Sequence, residues 1–369
     1  MISKFRVDNF RLFDTLEIKN LSRVNLIVGK NSAGKSALLE AFLLYFSHMS
    51  PDLFVDLLYS RQEHFESSQN RFSRRNIASP IRHLFRGHRV PELFDEGFRL
   101  SSEQNSIHVK IAAYILEDSE KNITRRFVNI DELDSYDPDF LDRYLIKEEN
   151  SVSKILFPLD SEIRDIKRRG IRQRREKANS VAYQFVSTNG ITDSKASLLW
   201  DSISLTDLEN EVVKGIQLVE PNALGITFVE NGERHSSESR IPLVKLSNID
   251  EPVPLKSLGD GLSRIFQIVL SLVCAKDGVL IVDEFENGLH WSIQKSVWDI
   301  VFNLASRLNV QIFCSTHSRD CISGFQSVWA NHEDKASFIR ITKTNGIATI
   351  KEYDLELLSD SIETEVEVR

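Results

Sequence analysis

The chain has 369 residues, 41% hydrophobic and 27% charged, which gives room for one large α/β domain or two smaller ones. A formal net charge of -8 argues against coating nucleic acid with the whole surface and leaves only a local basic patch for that purpose. The three cysteines, Cys274, Cys314 and Cys321, lack metal-ligand spacing and give neither a disulfide framework nor a zinc site.

In chain order, "KFRVDNF" and "DTLEI" alternate apolar and polar residues and read as strands, and "RVNLIVG" reads as a buried strand. From Lys35 the period turns helical, with Leu38, Leu39, Phe42, Leu43 and Phe46 on one side. Residues 51–100 are mixed and rich in arginine, and "SIHVKIAAYILED" and "NITRRFVNI" then form a strand pair. Residues 131–180 are polar and read as helical, after which "AYQFVS" returns to strand character. "ASLLWDSI" and "LTDLENEVVKGIQLV" read as helices, the second capped by Thr206 with Glu209 three positions on. "GITFVENGERH" suggests a hairpin through its Asn-Gly pair, and Asn345-Gly346 joins "SFIRITK" to "IATIKEY". The tail, "LELLSDSIETEVEVR", is acidic and reads as partly disordered. No internal repeat or sustained heptad is present. The opening "MISKFRVDNF" has no signal-like apolar run, and segments such as "IFQIVLSLVCA" are too short to span a bilayer. A cytoplasmic protein without membrane contact is expected.

Four stretches carry chemistry. Gly29 to Ser36, "GKNSAGKS", fits G-x-x-x-x-G-K-[ST] between a strand and a helix, where backbone N–H groups and the helix terminus can wrap phosphates. Its residues Gly29, Lys30, Asn31, Ser32, Ala33, Gly34, Lys35 and Ser36, with Ala37 next on the helix, form the expected nucleotide-binding set. Lys35 would reach the β- and γ-phosphates, and Ser36 would ligate Mg²⁺. In "GVLIVDEFENGLH" an apolar strand ends at Asp283, placed to hold the Mg²⁺ shell, and Glu284, placed to polarise water. "QIFCSTHS" ends another apolar strand at His317, which could lie beside Glu284 and sense the γ-phosphate. "LKSLGDGLSR" makes a second anion-binding turn, with Ser257, Gly259 and Gly261 before a helix. One phosphate group needs only one such loop, so the second is expected to serve another copy's nucleotide in a two-fold dimer.

These motifs, in this order, resemble an ABC-type ATPase head, a P-loop NTPase in which a mixed or parallel sheet has flanking helices. "NFRLF" at Asn9–Phe13 resembles the SMC/RecF branch. "SLGDGLSR", "DEFENGLHW", "STHS" and "LLWDSISLTDLENEVVKGIQLVEP" resemble stand-alone members of the OLD-related ATPases. The resemblance implies an α/β head with antiparallel β elements and a helical insertion. Its parts would be an N-terminal lobe with the phosphate loop at 1–130, a mainly helical insertion with a basic run at 131–216, and a C-terminal lobe at 217–369. It implies ATP and Mg²⁺ as cofactors, Lys35 and Ser36 on phosphate and metal, Asp283 on the metal, Glu284 as catalytic base and His317 as switch. Ser257, Gly259 and Gly261 would act in trans. His290 stands where many relatives have a coupling aspartate. The Q-loop glutamine has three candidates, Gln62, Gln69 and Gln104.

Lys35 and Asp283 lie 248 residues apart, wider than in compact transporter ATPases, so an insertion separates them. Residues 164–177 hold eight Lys or Arg against two acidic residues, and residues 71–89 hold six arginines and two histidines. Such fields could meet DNA or RNA backbones, or an acidic partner. The resemblance further implies a homodimer or higher homo-oligomer that gates a separate Toprim-type nuclease, in phage defence or DNA maintenance. About 50 residues follow His317, too few for a fused nuclease domain. A DNA-binding RecF-like clamp and an ATP-binding scaffold without turnover are the alternatives.

Overall fold

The strand–loop–helix that carries Gly29 to Ser36 sits between two sheets of different character. The structure, a computed structural model, describes residues 1–63, 80–93, 95–119, 122–137, 140–159, 181–230, 240–332 and 336–364. Along the chain, β1 (Phe5–Phe10) and β2 (Phe13–Ile18) precede β3 (Val24–Val28), α1 (Lys35–Phe46) and α2 (Pro51–Ser60). Then come β4 (Phe98–Ser102), β5 (Ser106–Ser119), β6 (Asn122–Phe127), β7 (Asp142–Glu149), β8 (Val152–Pro158) and β9 (Tyr183–Val186). Helices α3 (Asp193–Ile203) and α4 (Asp207–Gln217) lead to β10 (Ala223–Glu230), β11 (Arg240–Leu246) and β12 (Val253–Pro254). The C-terminal part runs α5 (Asp260–Cys274), β13 (Val279–Val282), α6 (Trp291–Arg307), β14 (Gln311–Thr316), α7 (Arg319–Trp329), β15 (Ala336–Thr344), β16 (Ile347–Tyr353) and α8 (Leu355–Glu363).

One sheet has the order β16-β15-β3-β14-β13-β9, parallel except for β16. Strands β3, β13 and β14 are buried at every residue, as a parallel sheet covered on both faces requires. An antiparallel sheet, β2-β1-β4-β5-β7-β8 with β6 beside β5, lies over α1. This explains why α1 is buried nearly all round and not along one stripe. The Phe42 ring stacks on Phe5 of β1 at 4.3 Å and on Phe313 of β14 at 4.0 Å, joining helix to both sheets. The opposite face of the parallel sheet is packed by α5, α6 and α7 in a second core that includes Trp200, Phe266, Trp298 and Phe325. The α/β class, the strand–loop–helix and the Asn345-Gly346 turn are as expected; Asn345 and Gly346 have φ of 52° and 83°, which a two-residue primed turn demands.

Two expectations change. Residues 131–180 read as helical, but Asp142–Glu149 and Val152–Pro158 form a hairpin of the antiparallel sheet. Asn150 and Ser151 both have positive φ, so a two-residue turn closes it; Leu145, Leu156 and Phe157 pack in α1's layer, while Tyr144 and Ile146 join a separate small cluster with Ala112, and the flanking charges disguise the strand period. The acidic tail forms α8, capped by Asp354 and anchored by buried Leu358; residues 365–369 lie outside the described residues. In the "GITFVENGERH" hairpin the second strand starts only at Arg240, and the Asn-Gly pair lies outside the described residues, as do 64–79 and the basic run at 164–177. Among the described residues no helix is long and apolar enough to cross a membrane.

Candidate nucleotide site

At the carboxyl ends of β3, β13 and β14 the chain turns away from the sheet, leaving a cleft of about 550 Å³. It is lined by Asn31, Ser32, Gly34, Lys35, Ser36 and Ala37 of the loop, by Asp283, Glu284 and His317, and by Arg11, Leu12, Arg61, Glu63 and His88. The loop's shape depends on its glycines. A Cβ on Gly29 would sit 2.5 Å from the carbonyl oxygen of Ile341, and one on Gly34 (φ 116°) would press on the Phe13 ring at 3.0 Å. Lys35 Nζ donates to Gly29 O at 2.7 Å and Lys30 O at 3.3 Å, so the ammonium lies inside the loop's curve. Burial pushes its pKa down, opposed by Asp283, Glu284 and Glu286.

Asp283 is held from three sides. Its N–H donates to Val186 O at 2.9 Å, Ser315 Oγ donates to its Oδ1 at 2.5 Å, and the Thr188 hydroxyl lies 3.4 Å from its Oδ2. The next residue, Glu284, has φ 49°, a left-handed conformation that costs about 1–3 kcal/mol outside glycine. Its N–H donates to Ser315 Oγ at 2.9 Å, and its side chain is partly exposed to the cleft. His317 Nδ1 lies 4.0 Å from Glu284 Oε1 and 3.2 Å from Oε1 of buried Glu286, which also accepts the His317 N–H at 2.9 Å. Nine of the expected residues therefore line one cleft: Asn31, Ser32, Gly34, Lys35, Ser36, Ala37, Asp283, Glu284 and His317.

Ser257, Gly259 and Gly261 are not in it. Ser257 belongs to a short 3-10 turn, Gly259 (φ 105°) caps α5, and Ser257, Gly259 and Asp260 are exposed. No residue of 255–264 lines the cleft. His290 caps α6, its Nδ1 meeting Ser292 Oγ at 2.8 Å. Of the Q-loop candidates, Gln104 donates to Met1 O, Gln62 is adjacent to the cleft residues without lining it, and Gln69 lies outside the described residues. Strand β9, beside β13, ends at Val186 and is followed by Ser187-Thr188.

Sequence reading missed a charged wall. Arg11, in the β1–β2 turn, pairs with Glu40 and with Glu63 at 2.8 Å, and Arg61 pairs with Glu40 at 2.6 Å. Burial pushes the Glu40 carboxyl up, and the two arginines oppose it. Glu40→Ala leaves buried Arg11 with half its pairing and should cost about 3–5 kcal/mol in denaturant unfolding. An unchanged midpoint would show that the network contributes nothing. The "NFRLF" motif was the one signal for Arg11; nothing local marks Glu40 or Arg61.

Mg²⁺ fits this donor set. Asp283 and Ser36 offer oxygen ligands beside a phosphate loop, and Mg²⁺ takes few protein ligands and completes its shell with phosphates and water. Among the described residues no group of three or more His, Cys, Asp or Glu could hold a metal by itself.

A family model described as "AAA domain, putative AbiEii toxin, Type IV TA system" matches residues 24–320. An ATP/GTP phosphatase of Helicobacter pylori is 24% identical over 350 residues, covering 87% of this chain and 86% of that protein. The uncharacterized protein MJECL10 of Methanocaldococcus jannaschii is 41% identical over 59 residues, 16% of this chain and 27% of that one. Among solved structures, an SMC head bound to the C-winged helix domain of ScpA superposes with a TM-score of 0.50 at 13% identity, covering 97% of this chain and 99% of that one, which shows a shared fold.

Proposed function

Because the chain belongs to this AAA-domain family and shares the fold of an SMC head, we propose that it hydrolyses ATP at a composite site formed by two copies of itself. The exposed signature turn carries this reading. The exposed Ser257 side chain and the first N–H groups of α5 can meet an anion, while the Gly259 N–H closes the turn by donating to Lys256 O at 3.2 Å; all of them lie outside their own chain's cleft. A two-fold arrangement lets each turn close the other chain's open cleft.

In this reading the loop from Gly29 to Ala37 cradles the triphosphate and Lys35 leaves the loop carbonyls for the β- and γ-oxygens. Ser36 and Asp283 would hold Mg²⁺, which offsets phosphate charge when bound. Glu284 takes the proton of the attacking water, and His317, steadied by Glu286, contacts the γ-phosphate. ATP closes the dimer and hydrolysis reopens it. The name of the Helicobacter pylori relative extends the nucleotide to GTP, which competition with ATP would measure.

The signal of closure would pass to a partner. The "SLGDGLSR", "DEFENGLHW" and "STHS" motifs favour OLD-type assemblies with a separate Toprim-type nuclease, acting in phage defence or DNA maintenance. A DNA-binding clamp using the basic run is the second reading, motivated by eight Lys or Arg within 164–177.

Mixing two inactive chains tests the composite site. Lys35→Met removes a loop lysine and Ser257→Arg fills a signature turn. One in four of the possible sites in a randomly paired mixture is then intact on both sides, and activity should return to roughly that fraction of wild type. A mixture as inactive as its components would contradict the shared site.

A further inference from the structure

The geometry points to Arg264 as a positioning residue for hydrolysis, one that fixes the main chain of Glu284 and ties it to the start of α5. Arg264 is 4% exposed. One terminal nitrogen donates to Ser187 O at 2.8 Å, and the other donates to Asp283 O and Glu284 O, both at 2.7 Å. Its fork thus gathers three carbonyls from the ends of two parallel strands, β9 and β13. A planar guanidinium supplies this arrangement, and an ammonium, with one nitrogen, does not.

The rest of α5 needs no charge there. Its neighbours Leu262, Ile265, Phe266 and Ile268 are buried apolar side chains, and a buried cation costs free energy that an apolar residue would not. The arginine's bonds end on the peptide groups that bracket Glu284. With the Glu284 N–H on Ser315 Oγ at 2.9 Å and its carbonyl on Arg264, both peptide links of this left-handed residue are pinned. The carboxylate's direction toward the cleft follows from that backbone.

The same arginine lies in the first turns of α5, four residues after Asp260, about 6 Å along the axis. A second contact runs alongside it: Gly261 packs against Gly288, where an added Cβ would meet the Gly288 carbonyl oxygen at 2.8 Å. Under the proposed function, which this part rests on, α5 begins at the turn that meets the partner's nucleotide. Arg264 then reports that contact to the base of its own chain, so that water is activated only in a closed dimer.

The test is a double-mutant cycle in single-turnover hydrolysis of ATP by the full chain, with affinity for a fluorescent ATP analogue and thermal melting measured alongside. Arg264→Lys should keep affinity within about three-fold and slow hydrolysis by about 100-fold, the size expected of a misplaced catalytic group. Added to Glu284→Gln, it should slow the residual rate by no more than about two-fold, because it acts through that carboxylate. Losses that multiply, or a wild-type rate in Arg264→Lys beside an impaired Glu284→Gln, would overturn the proposal. Full-rate hydrolysis by Glu284→Gln would instead overturn the assigned base. Should the lysine variant not fold, Arg264→Gln enters the same cycle. If neither folds, the arginine serves stability alone and the proposal fails.

Discussion

Glu284→Gln should lower the steady-state rate of phosphate release from ATP by about 100- to 10,000-fold, the range of a lost general base. Nucleotide affinity and thermal stability should barely change. The substitution keeps the shape of the side chain, and the carboxylate is partly exposed, with no close ion pair to break; His317 Nδ1 is 4.0 Å away. The main-chain bonds to Ser315 and Arg264 do not involve the carboxylate and survive. Hydrolysis within about three-fold of wild type would move the base elsewhere, with Glu286 the nearest other carboxylate to His317. Equal loss of binding would instead show that Glu284 shapes the phosphate site.

Lys35→Met should fail one step earlier. In the free chain the ammonium is held by two loop carbonyls, Gly29 O and Lys30 O, and burial pushes its pKa down. A triphosphate offers it stronger, charge-assisted bonds worth about 1.5–3 kcal/mol, so affinity should drop about 10- to 100-fold. Phosphate release at saturating ATP should also fall by about 100-fold or more, since the same charge meets the transferring group. Methionine keeps the stem's length and apolar packing, so the loop should survive. Calorimetric titration with ATP separates the two effects: unchanged affinity with a lost rate would confine Lys35 to the chemical step.

The motifs were legible because each is short and its chemistry is local. A glycine at each end of a phosphate loop, a lysine and serine after it, and acids or a histidine at the tip of an apolar run are all visible in under a dozen residues. What brings Lys35 beside Asp283 is the order β3-β14-β13, a long-range pairing that no local pattern states. The same holds for Arg264 and Glu286, which hold Glu284 and His317 from behind. Each reads as an ordinary charged residue in sequence, and only burial and partners reveal its task. The β7–β8 hairpin was hidden for another reason. Tyr144, Leu145 and Ile146 are buried in a row between charged residues at both ends, so "DRYLIKEE" lacks the alternation that marks a half-buried strand. The tail misled through its charge, although Leu355, Leu358 and Ile362 recur at helical spacing and pack on the second core.

The central claim is that the nucleotide itself joins two copies. Light scattering of Glu284→Gln with saturating ATP and Mg²⁺ tests it most directly, because slow hydrolysis should trap the closed state. A mass of twice the 42.3 kDa chain with ATP, reverting with ADP, is the predicted result. The same mass with ATP as with ADP, at concentrations where binding is complete, would contradict it.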